Sequence, residues 1–81
     1  MSNADTKLKR ILAKVLLIDE DKISDDMSRK KVEEWDSMAH LMLVSEIEAA
    51  YEVTMSDNDI MEIQTIGDIK KILKKLGINT E

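Results

Sequence analysis

The sequence predicts an all-α fold: a small four-helix bundle of three main helices plus a short third one, with a long loop between helices 1 and 2. Three observations carry this. The 81 residues include no proline and only two glycines, while the helix formers Lys, Glu, Leu, Met and Ala are plentiful. Apolar residues recur at spacings of three and four, the period of a helix with one buried face. Helix-start residues stand before the later stretches, at Asp36-Ser37, Ser56 and Thr65. The length fits one domain over residues 1–81, whose core nets only about 3–5 kcal/mol.

The first helix is expected over residues 5–17. Leu8, Ile11, Leu12, Val15 and Leu16 make one apolar stripe, and Lys7, Lys9, Arg10 and Lys14 take the wet side. Residues 18–36 then lose the period. They hold eight acids and four bases, with Ile23, Met27, Val32 and Trp35 spaced as single anchors, and a short helical turn is expected over residues 25–31. A connection this long in a small domain is commonly functional. Its cluster Asp19, Glu20, Asp21, Asp25 and Asp26 lacks the glycine and terminal glutamate of a calcium-binding EF-hand loop.

The second helix is expected over residues 37–52, with Val44, Ile47 and Tyr51 inward and Leu43 and Ala50 flanking. Met38, Leu41 and Met42 extend the apolar surface around its front turn. Such a surplus marks either a docking surface or a stripe wide enough to touch two neighbouring helices. The third helix, residues 57–63, opens on Ser56-Asp57-Asn58-Asp59, a capping box in form, and turns Ile60 and Ile63 inward. The fourth, residues 66–76, opens on the capping box Thr65-Ile66-Gly67-Asp68. Its stripe is Ile66, Ile69, Leu73 and Leu76 with Ile72 beside it, and Gly77 is placed to end it with Ile78 folding back.

Composition excludes several functions. A net charge of −5 and a pI of about 4.8 argue against nucleic acid or an anionic membrane as the main partner, and favour basic ones. The longest apolar runs, at residues 15–18 and 41–44, are too short to span a bilayer. No secretory h-region is visible, so the expected location is cytoplasmic. Without cysteine and with a single histidine, no disulfide, thiolate nucleophile or transition-metal site is expected. Six methionines and no phenylalanine point to a partly pliable core. Nothing in the chain asks for more than a monomer.

One hydroxyl stands out. Asp36 is a good N-cap, and Ser37 follows in the first helical turn, where the partial positive charge of the helix favours an attached anion such as a phosphate. From there to Ile63 the chain carries six acids (Glu46, Glu48, Glu52, Asp57, Asp59, Glu62) and no Lys or Arg. These are either a solvated face or a lure for a basic enzyme. Ser37 and His40 lie one turn apart, but no G-x-S-x-G elbow or oxyanion hole accompanies them, so hydrolysis is not expected. His40 falls in register with Val44, Ile47 and Tyr51, as a cap on the mouth of the core. The chain is read as a non-enzyme whose serine is another enzyme's substrate.

The segment Trp35-Asp36-Ser37-Met38, followed by Leu41, Leu43, Val44, Ile47, Glu48 and Tyr51, resembles the phosphopantetheine attachment region of acyl carrier proteins of the stand-alone type. The similarity continues through Met55-Ser56-Asp57 and residues 63–69. The resemblance implies a right-handed antiparallel four-helix bundle. It implies that Ser37 receives 4′-phosphopantetheine from coenzyme A, with Asp36 helping a phosphopantetheinyl transferase hold its magnesium ion. Met38, Leu41, Met42 and Glu48 would meet partner enzymes bearing basic docking patches. Leu43, Val44, Ile47, Tyr51, Ile63 and Ile69 would line the core where acyl chains shelter. The implied function is to carry acyl thioesters for fatty-acid, polyketide or another specialised biosynthesis. Two alternatives stand beside it: an aminoacyl or D-alanyl carrier, and a small helical interaction module in which Ser37 is only structural. The pattern departs from the family at Glu34 and Trp35, where glycine is common, and at Ala39 and Met42, where acids are.

Overall fold

A computed structural model describes the backbone of residues 3–78 and the side chains of residues 6–78. Four α-helices follow in order: α1 (Asn3–Leu16), α2 (Ser37–Tyr51), α3 (Asp57–Glu62) and α4 (Ile66–Lys75). No strand occurs among the described residues, and an isolated bridge joins Ser28 to Thr65. The predicted class and element order hold, with each boundary within two residues.

The differences have local causes. Helix α1 begins at Asn3, two residues early, and stops at Leu16 because Leu17 turns left-handed (φ 57). Helices α2, α3 and α4 each stop one residue short of expectation, at Tyr51, Glu62 and Lys75. The helical turn in the long connection lies at Glu20–Lys22 rather than within residues 25–31. Residues 25–29 spend their backbone groups elsewhere. Asp25 O accepts from Gly67 N–H at 2.9 Å, Met27 O from Ile66 N–H at 3.1 Å, and Arg29 N–H donates to Gln64 O at 2.9 Å. The loop is thus stitched to the start of α4. Lys70 adds an ion pair to Asp25 at 2.7 Å.

The core joins Leu8, Leu12 and Leu16 of α1, Leu43 and Ile47 of α2, Ile66, Ile69 and Leu73 of α4, and Ile63 before α4. All nine are among the most deeply buried side chains of the chain. Trp35 closes it from the loop at 2% exposure, with Ile23, Met27 and Val32 half-buried beside it, so all four predicted anchors pack. The inward direction of α2 is centred on Leu43 and Ile47, one position round from the expected stripe. Tyr51 is half-buried and packs against the core from its rim, with the Lys7 ammonium 5.8 Å from its ring centre. On α4 Ile72 is buried and Leu76 only half-buried, the reverse of the predicted ranking. Gly77 (φ 94) ends α4, and Ile78 N–H returns to Leu73 O at 2.8 Å, the hydrogen bond of a glycine-terminated helix.

Candidate functional site

Asp36 is extended (φ −87, ψ −175) and its carboxylate accepts from Ala39 N–H at 2.8 Å. Its carbonyl accepts from His40 N–H at 2.9 Å, which fixes the first turn of α2. Ser37 occupies the first helical position with its side chain exposed, as expected. The amides of Ser37 and Met38 precede the helical ladder and have no acceptor among the described residues. An exposed hydroxyl therefore stands beside two open N–H donors at the positive end of a fifteen-residue helix. No residue within that helix's first turn is acidic; the carboxylate at this end is the capping Asp36, engaged by Ala39 N–H.

Two rings hold this turn in place. The buried indole of Trp35 donates through Nε1 to His40 Nδ1 at 3.0 Å, and the rings stack at 6.1 Å between centres. His40 Nε2 lies 2.8 Å from Ile60 O. Since Nδ1 accepts, Nε2 carries the hydrogen and donates to the carbonyl, the neutral tautomer assigned from this network. His40 is 5% exposed, so it lies inside the core rather than at its mouth. Both of its nitrogens are occupied, and neither is free to take a proton from Ser37. The arrangement ties the loop before Ser37, the helix after it and α3 into one unit.

The candidate docking residues separate. Met38, Leu41 and Met42 are 73%, 62% and 49% exposed, so they form a free apolar surface rather than a stripe shared with a neighbouring helix. Glu48 is half-buried, and its carboxylate accepts from Met55 N–H at 2.8 Å, which pins the loop between α2 and α3. It is not a freely displayed charge. Glu46 pairs with Lys14 at 3.0 Å, and Asp59 pairs with Lys75. Of the six acids after Ser37, Glu52, Asp57 and Glu62 are exposed with no such partner among the described residues. The expected acyl-lining residues Leu43, Val44, Ile47, Ile63 and Ile69 are packed together, none more than 5% exposed.

Asp59 had no functional mark in the sequence beyond its capping position. Ser56 Oγ accepts from its N–H at 3.1 Å, as a cap should. Its buried carboxylate goes mainly to Lys75, whose hydrogen bond holds the carboxyl below its ordinary value. The Trp35–His40 link also escaped the sequence reading. The chain's one tryptophan and one histidine, five apart and astride an N-cap, were its only signal.

These residues fit a 4′-phosphopantetheine arm: the hydroxyl is accessible, the adjoining amides can donate to a phosphodiester's oxygens, and the apolar front is open. The fold matches a solved structure from Mycobacterium tuberculosis, provisionally described as an acyl carrier protein, with a TM-score of 0.81. The likeness covers 90% of this chain and 97% of that one at 19% identity. A family model described as the phosphopantetheine attachment site matches residues 6–73. That span takes in α2, α3, most of α4 and all but the start of α1, and so the chain belongs to the phosphopantetheine-attachment family of carrier proteins, whose prosthetic group is covalent 4′-phosphopantetheine.

Proposed function

We propose that Ser37 is the attachment point and that the chain is an acyl carrier, displaying acyl groups to the enzymes of a fatty-acid, polyketide or other specialised biosynthetic pathway without catalysing a step itself. The observation that carries this is the exposed Ser37 hydroxyl beside the unpaired amides of Ser37 and Met38, within the matched region.

When bound, the arm supplies a thiol that holds an acyl group as a thioester. The chain's own contribution is to position and to present. Asp36 keeps the first turn wound by capping Ala39, so the Ser37 oxygen projects from a fixed helix end. On loading, that oxygen would lose its proton and attack the pantetheine-bearing phosphorus of coenzyme A; the pyrophosphate P–O bond breaks, adenosine 3′,5′-bisphosphate leaves, and the open amides donate to the resulting phosphodiester. Helix-terminus stabilisation of such a charge is worth about 0.3–1 kcal/mol. Asp36 also carries a carboxylate suited to a transferase's magnesium ion. Met38, Leu41 and Met42 form the contact surface for partner enzymes. Glu46 and Asp59 are paired with Lys14 and Lys75, so long-range acidic steering falls to Glu48, whose amide partner leaves its charge uncancelled, and to Glu52, Asp57 and Glu62.

The test is intact mass after incubation with coenzyme A, magnesium and a phosphopantetheinyl transferase. A gain of one phosphopantetheine that disappears in Ser37→Ala is expected. No gain with several transferases would leave a helical interaction module in which Ser37 is structural.

A further inference from the structure

The first turn of α2 offers the core few side chains to hold it by. Ser37, Met38, Leu41 and Met42 are exposed, while Ala39 and His40 turn inward. The Asp36 cap winds the turn but is a bond within it, so it does not set how the turn is rotated against the core. The Ala39 methyl fills space without direction. His40 supplies the direction: Nδ1 accepts from Trp35 Nε1–H at 3.0 Å, and Nε2 donates to Ile60 O at 2.8 Å. We propose that His40, linked to Trp35 across Ser37, is the positioning residue of arm loading, holding the serine hydroxyl where it must stand to attack phosphorus. The inference rests on the attachment reading above.

Three observations support it. The link brackets the attachment point, from two residues before Ser37 to three after it, and its far end is immobile. Trp35 is 2% exposed and its own N–H is given to Val32 O at 3.0 Å. The second observation is that Ile60 O selects the useful form of the ring. This carbonyl belongs to the last turn of α3, beyond the helical ladder, and so needs an outside donor. By taking the Nε2 hydrogen it leaves Nδ1 as the acceptor that Trp35 requires. Third, an apolar residue at position 40 would bury as much surface without fixing an angle. A buried polar pair is costly to desolvate, and what it returns is a defined geometry. Attack on phosphorus is sensitive to that geometry, since a misplacement of about 1 Å can cost on the order of a hundredfold in rate. With both nitrogens engaged, His40 acts through the turn it aims and not on the reacting atoms.

The test is mass-resolved loading kinetics with coenzyme A, magnesium and a phosphopantetheinyl transferase, at a temperature where each variant is folded by circular dichroism. Trp35→Phe and His40→Leu should each lower kcat by about tenfold or more. KM for the carrier should stay within about twofold, since the docking side chains are untouched. The double variant should be no slower than the slower single one, because the link is broken once. His40→Asn, whose Oδ1 can accept from Trp35 in place of Nδ1, should recover most of the loss. Parent kcat in the folded single variants reduces the link to a brace for the fold and overturns the inference. A raised KM at parent kcat assigns it to docking and overturns it as well, as do losses that multiply in the double variant. Should His40→Leu not fold, Trp35→Phe and His40→Asn decide: the first slow and the second near the parent uphold the inference, and any other order overturns it. A parent chain that gains no mass removes the attachment reading, and this inference with it.

Discussion

The starts of α2 and α4 use the same parts to opposite ends. Each has an extended N-cap with an oxygen side chain, Asp36 in one and Thr65 in the other, accepting from the N–H three residues on. At the first helical position α4 has Ile66, fully buried, with its N–H given to Met27 O; α2 has Ser37, exposed, with its N–H free. At the second, Gly67 donates to Asp25 O, and an added Cβ would lie 3.3 Å from that oxygen; Met38 is 73% exposed. At the third, Asp68 reaches back to Gln64 and Thr65 N–H at 3.0 and 3.1 Å, whereas Ala39 has no group to do so. The chain completes one helix end for itself and leaves two amides of the other without an acceptor among the described residues. The long connection between α1 and α2 is what closes α4.

The largest effect should separate the first positions. Ile66→Ala is expected to cost about 2–5 kcal/mol by removing a fully buried side chain. At roughly 4–8 °C per kcal/mol for a domain of this size, the thermal midpoint should drop by at least about 8 °C. Ser37→Ala should stay within about 0.5 kcal/mol of the parent, as an exposed substitution outside any hydrogen bond does. Circular dichroism melts decide both. A Ser37→Ala midpoint as low as that of Ile66→Ala would mean that the start of α2 is structural and that the comparison is misdrawn.

Acid should then act on α4. Hydrogen bonds from the amides of Gln64 and Thr65, with the Thr65 hydroxyl adding to them, hold the Asp68 carboxyl below its ordinary 3.8. The folded state therefore binds that proton less readily than the unfolded chain. Its contribution is complete above about 3.9 and drains away as pH falls through the lower folded value. Asp59, held down chiefly by Lys75, has the same sign. Denaturant midpoints measured between pH 5 and pH 2 should fall with pH, and less steeply in Asp68→Asn. At neutral pH Asp68→Ala should cost about 1–3 kcal/mol, and an equally steep acid slope in Asp68→Asn would assign the effect to other groups.

At the caps the expected effects are smaller and more specific. Thr65→Ala should cost about 1 kcal/mol and nothing more, since its oxygen serves only the helix. Asp36→Asn keeps an equally good capping oxygen, so stability should move by no more than about 0.5 kcal/mol, while the rate of arm loading drops. Parallel melts and mass-resolved loading time courses separate the two roles. Unchanged loading in Asp36→Asn would confine Asp36 to capping.

How much of this was legible follows from how local each feature is. The Asp36-Ser37 start and the Thr65–Asp68 box are written within four residues, and both stand where the sequence puts them. The stripes of α1 and α4 were readable because charged residues mark their wet faces. Helix α2 gave a weaker direction. Residues 41–44 are apolar without a break, so periodicity alone could not say that Leu43 points in and Met42 out; the packing partners decide that. The closing of α4 by Asp25 and Met27 left no mark at all, because it is made by main-chain carbonyls about forty residues away in sequence. The tie between Glu48 and the next loop left no mark for a similar reason: its partner there is a backbone amide.

The contrast between finished and unfinished helix ends extends to the C-termini, where the smallest effect is expected. Helix α4 ends on Gly77 at φ 94, a conformation glycine takes without penalty; α1 ends on Leu17 at φ 57, where a Cβ is crowded against the backbone. Leu17 is also 78% exposed, so little burial repays that crowding. The left-handed conformation costs a leucine roughly 1–2 kcal/mol, and the greater unfolded-state freedom of glycine returns about half of this. Leu17→Gly should therefore stabilise the domain by about 0.5–1 kcal/mol, a rise of a few degrees in the melt. A fall instead would mean that Leu17 makes contacts worth more than its exposure suggests, and that the end of α1, like that of α4, is closed by packing.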